Sequence, residues 1–113
     1  MSQLINREQL LELVGDDVET FLPIVDDFAD NGKTLIATMQ ASIEAEQLTE
    51  LKSAAHQLKG SSGMLGMEKL YQMCKLVEEA EIAQLDTTFI YDLNNVFSAS
   101  LHAAKDALSG LAE

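Results

Sequence analysis

In the run AAHQLKGSSGMLG, residues 54–66, His56 is followed by Gly60 one turn later and Gly63 two turns later, with Lys52 and Lys59 on either side. On a helix of about 100° per residue, with His56 at zero, Gly60 falls at about +40°, Gly63 at about −20°, Lys52 at about −40° and Lys59 at about −60°. Leu51, Leu58 and Leu65 fall at roughly 180–220°. The imidazole therefore faces away from the leucines and lies beside two positions that carry no side chain. Each interior glycine costs a helix about 0.5–1 kcal/mol relative to alanine, so an offsetting advantage is expected. Access supplies one, because without Cβ atoms another protein's surface can close on the ring.

The residue types suit group transfer. An unperturbed imidazole has a pKa of about 6.5, so at neutral pH a large share of it carries a free lone pair and needs no separate base. A nucleophile used this way calls for nearby cations or hydrogen-bond donors and for positioning rather than elaborate machinery. Lys59, one turn on, can supply a cation and Gln57 a hydrogen bond. Lys52, one turn back, is either a second cation or a solvated helix lysine. A core role for His56 conflicts with its angle from the leucines, and an ordinary surface role leaves the glycines unexplained. A loop at GSSG conflicts with Leu58, Met64, Leu65 and Met67, which carry the apolar pattern through it.

Ala55, His56, Gln57, Leu58, Lys59, Gly60, Ser61, Ser62, then Leu65 and Gly66 together resemble the signature of histidine-containing phosphotransfer domains, the HPt modules of bacterial multistep phosphorelays. The resemblance implies that His56 is phosphorylated and exchanges its phosphoryl group with the aspartate of a response-regulator receiver domain. A hybrid sensor histidine kinase is the implied upstream partner, and magnesium is expected on the receiver. Gly60 and Gly63 are the expected docking positions. Two alternatives stay open: a non-catalytic helical interaction or dimerisation module, and the phosphoacceptor domain of a chemotaxis-type kinase, which shares the motif.

Several functions lack their residues. No GxxxxGK[ST] loop and no GxGxxG after a strand is present to hold a nucleotide, so a stoichiometric phosphocarrier without autokinase activity is expected, not an enzyme. His56 and His102 are far apart in sequence and Cys74 is the single cysteine, so no metal site and no resident cofactor are expected. DFADNGKT from Asp27 faintly resembles a calcium loop but has Ala29 at a ligand position and no closing glutamate, and reads as a turn or a solvated helix face. His102 reads as a surface residue. The net charge of −12 and a pI near 4.3 make nucleic acid and anionic membranes poor partners. With neither a signal peptide nor an apolar run long enough to span a bilayer, a cytoplasmic monomer is expected, and the initial methionine favours a free-standing protein.

The elements that position the motif follow from length and periodicity. The 113 residues suit one domain, 1–113, and a single proline with few glycines suits helices rather than turn-rich sheets. Asn6 and Gln9 have capping-box spacing for a short helix that ends at Val14 before Gly15. Asp16 and Glu19 repeat the signal for a long second helix with the stripe Phe21, Val25, Phe28, Gly32, Leu35 and Met39, bent at Pro23 and open to a break near Asn31. The reactive helix is expected from Leu48 to Leu65, with Gly66 at its end. A fourth runs from Glu68 to about Ile82, turning Leu70, Met73 and Val77 inward. The fifth carries Ile90, Leu93, Phe97, Leu101, Ala104, Leu108 and Leu111. Four such stripes on short connections predict an all-α fold, an antiparallel up-down four-helix bundle with the additional short N-terminal helix as a lid.

Overall fold

The computed structural model describes residues 3–81 and 85–112, the side chains of 111 and 112 excepted. Its elements are α1 (Arg7–Val14), α2 (Val18–Glu44), α3 (Leu48–Met64), α4 (Glu68–Glu79) and α5 (Thr87–Ala112), with no strand among the described residues. The bundle is all-helical, as the apolar periodicity predicts. α4 ends at Glu79, short of the expected Ile82, because Ala80 turns to extended backbone, and the side chain of the seam position Leu111 lies outside those described.

Local chemistry accounts for the helix ends. Asn6 Oδ1 accepts a hydrogen bond from the backbone N–H of Gln9 at 3.1 Å and so caps α1. At its other end Gly15 takes φ 60°, a conformation that costs glycine little. The cap of α2 is Asp17 rather than the expected Asp16: its carboxylate accepts from the N–H of Thr20 at 3.1 Å. The turn at Gly15 still includes Asp16, one residue before the cap. That hydrogen bond holds the Asp17 carboxyl below its usual range.

α2 runs unbroken through both Pro23 and Gly32, so the break near Asn31 does not occur. Packing explains its continuity. Gly32 is buried at the crossing with α5, and a Cβ built on it would overlap the ring of Phe97. The glycine admits that ring, and Phe28 meets the same ring with centroids 5.7 Å apart.

The core collects one stripe from each helix. Val25, Met39, Leu51, Leu58, Leu70, Val77, Ile90, Leu93 and Leu108 are all fully buried. Of the predicted inward positions, Met73 and Leu101 are only partly buried and pack at its margin. α3 lies between α2 and α4, and α5 closes the bundle against α2 and α4. Ala54 and Ala55, both buried, let α3 sit close to its neighbours. α1 rests on α5 and is pinned to the α3–α4 turn: the Asn6 N–H donates to Gly66 O at 2.6 Å and Gln9 Nε2 to Gly63 O at 2.9 Å. The short helix thus covers one bundle end and fixes the C-terminus of the helix that carries His56.

Candidate functional site

The leucine and histidine faces of α3 separate as the helical angles require. Leu51, Leu58 and Leu65 are buried, whereas the His56 side chain is 71% exposed at mid-helix. α3 is held on both sides by α2 and α4, so the ring stands on a stiff support with one side open.

The ring has a partner on α4. Nδ1 of His56 lies 3.2 Å from Oε1 and 3.4 Å from Oε2 of Glu78. Lys59 reaches the same carboxylate, with Nζ 3.0 Å from Oε1, and its ammonium stands 6.0 Å from the centroid of the Tyr71 ring. Burial tends to raise the Glu78 carboxyl, but the hydrogen bonds from Lys59 and His56 outweigh it and hold the group below its usual value. The hydrogen bond to Glu78 holds the Lys59 ammonium above the ordinary lysine value. Cys74, one turn before Glu78, is buried beneath the cluster, and loss of solvent pushes its thiol up to about 12.

The expected site residues do not all meet. Lys59 joins His56 through Glu78. Lys52 is half-buried and makes no ion pair among the described residues, and Gln57 lies in the groove toward α2 beside Thr38 and Ser53. The two glycines differ. A Cβ on Gly60 would meet nothing within 4 Å, as an open face requires. A Cβ on Gly63 would stand 3.1 Å from the Tyr71 ring, so that part of the face is closed by α4 rather than open. Tyr71 and Glu78 were not singled out from the sequence.

Toward the C-terminal end of α3, α2 and α3 form a groove lined by Phe28, Asn31, Ser61 and Leu65, with Ile24 and Met64 exposing 47% and 62% of their surface at its rim. His102 is an exposed residue paired with Asp106 at 3.5 Å on its own helix. The stretch that resembles a calcium loop is a face of α2. No group of three or more metal-ligating side chains occurs among the described residues, and no helix there is long and apolar enough to cross a membrane.

Comparison with known proteins identifies the family and the fold. Residues 23–109 match the Hpt domain family model. The chain is 39% identical over 80 residues to multistep phosphorelay regulator 1 of Schizosaccharomyces pombe, a match covering 67% of this chain and 27% of that protein. It is 33% identical over 81 residues to the phosphorelay intermediate protein YPD1 of Saccharomyces cerevisiae, covering 68% of this chain and 48% of the relative. The chain thus spans less than half the length of either curated relative. The crystal structure of yeast Ypd1p superposes with a TM-score of 0.62 at 20% identity, over 98% of this chain and 91% of that one, and shows the same helical fold. Both relatives are fungal and lend no support to the bacterial origin expected from the motif.

Proposed function

The chain belongs to the Hpt domain family, and on that premise we propose that it carries a phosphoryl group on His56 and exchanges it with the aspartate of response-regulator receiver domains. The observation that carries this assignment is the exposed imidazole at mid-α3, backed by Glu78 and Lys59 and bordered by the open face at Gly60. A nucleophile held this way loses little freedom when a donor arrives, and the bare face admits the donor's surface. Ile24 and Met64, exposed at the rim of the α2–α3 groove, offer apolar area for that docking.

Lys59 is the cation nearest the incoming phosphoryl oxygens. Glu78 holds it beside His56 but not on it, so a dianionic phosphoryl group on the ring competes with Glu78 for the ammonium. Lys52 and Gln57, on the same helix, serve as a supporting cation and a polar contact for the docked partner. The chain serves as a stoichiometric carrier in the cytoplasm and as a monomer, fed by a hybrid sensor histidine kinase through that kinase's receiver. Magnesium belongs to the receiver's aspartyl site.

The test is transfer in both directions. Phosphorylated receiver domains with magnesium should pass acid-labile label to the chain, and the labelled chain should pass it on to a second receiver. Label that never leaves a folded donor receiver, across a broad panel, would favour the non-catalytic interaction module.

A further inference from the structure

Resting on the phosphocarrier assignment, we propose that Tyr71 is a positioning residue, its ring seated on Gly63 and holding the Lys59 ammonium beside the phosphoryl site on His56. Gly63 follows Lys59 by one turn of α3, so whatever covers Gly63 stands directly C-terminal to the lysine stem. A Cβ built on Gly63 would stand 3.1 Å from Cδ2 and 3.3 Å from Cε2 of Tyr71, tighter than ordinary van der Waals contact. Glycine thus lets the ring lie nearer the α3 backbone than any side chain at this position would. From that seat the ring lies beneath Lys59, whose Nζ stands over it at 6.0 Å from the centroid.

Two groups of α4 therefore bracket one ammonium. Tyr71 and Glu78 lie two turns apart on the same face of α4, and Nζ between them is 3.0 Å from Glu78 Oε1. They hold it differently. The carboxylate makes a charge-assisted hydrogen bond, which a phosphoryl group must displace. The ring attracts the cation through its quadrupole, needs no hydrogen bond from it and carries no charge to repel phosphoryl oxygens. When Lys59 turns from Glu78 to the phosphoryl group, the ring keeps the ammonium in the groove between α3 and α4. The Lys59 side chain is only 21% exposed, as confinement on two sides requires. The helix propensity lost at Gly63 is thereby offset by the seat it provides.

Proton NMR of the unphosphorylated chain and the kinetics of transfer together test the proposal. In wild type the Lys59 Cε methylene protons should lie upfield of their ordinary position because of the ring beneath them, and Tyr71→Leu should return them to it. Tyr71→Leu should also slow transfer from a phosphorylated receiver by about two- to fivefold, the range of a partly exposed cation–π contact. Tyr71→Phe, which keeps the π face, should preserve both the shift and the rate. In a Lys59→Ala background, Tyr71→Leu should slow transfer no further, since the ring has nothing left to hold. Unshifted Lys59 protons in wild type, or equal slowing by Tyr71→Leu with and without Lys59, would overturn the proposal alone and leave Tyr71 a packing residue. A chain that shows the upfield shift but takes no phosphoryl group from any receiver would overturn the carrier assignment, and the proposal with it.

Discussion

Gly63 on α3 lies against the ring of Tyr71 on α4, close enough that a Cβ would stand 3.1 Å from it, while Gly60 one turn earlier faces open space. The glycines of the motif therefore do different work. Gly60→Ala should stabilise the chain by about 0.5–1 kcal/mol, the ordinary helix propensity gain. Gly63→Leu should forfeit that gain and destabilise, because Tyr71 must move, and Tyr71→Ala in the same chain should recover part of the loss. Urea unfolding of the single and double variants measures both effects. Equal gains at Gly60 and Gly63 would remove the Tyr71 contact from consideration.

At the α2–α5 crossing, Gly32→Ala should destabilise by about 1–3 kcal/mol, since the new methyl overlaps the Phe97 ring and neither helix can easily withdraw. Phe97→Leu placed in that background should relieve part of the clash. Thermal unfolding of the pair checks it, and a neutral Gly32→Ala would mean that the helices are further apart than the structure places them.

Cys74 is buried, with its thiol pushed up to about 12 by loss of solvent and by the Glu78 charge. Alkylation at pH 8 should therefore be slow and limited by unfolding, rising steeply in denaturant as the thiol regains its ordinary reactivity. Fast labelling of the native chain would contradict the packing of α4.

The Glu78 carboxyl, held below its usual value near 4.5, should contribute stability above that pH and lose it as the solution is acidified through the lower folded value. Wild type should accordingly be more stable than Glu78→Gln at pH 7, and the gap should close toward pH 3. Unfolding curves across that range read it directly, and a gap independent of pH would assign the difference to packing instead of charge.

The bundle was legible because four apolar stripes at helical spacing leave few other ways to bury Leu51, Leu58, Ile90 or Leu93. His56, Lys59 and Gly60 were legible for the same reason, since one helix sets their mutual angles. Glu78 and Tyr71 were not, because they meet α3 across a turn. A signal was nonetheless present. Gly66 at φ 74° reverses the chain so that α3 and α4 pair about Met67, bringing together residues equally distant from it: Gly63 with Tyr71, and His56 with Glu78. Asp17 in place of Asp16, and the continuity of α2 through Gly32, depended on a turn conformation and on a ring from α5 that a local pattern does not contain.

The most direct test of the central claim locates the phosphoryl group itself. The chain and its His56→Gln variant are each incubated with a phosphorylated receiver and magnesium, then analysed by 31P NMR and by peptide fragmentation under conditions that preserve phosphoramidates. The phosphoryl group should appear on His56 of the wild type and nowhere on the variant, which should unfold at nearly the wild-type temperature because the replaced ring is exposed. A phosphoryl group on another residue, or equal labelling of the folded variant, would contradict the assignment of His56 as the carrier.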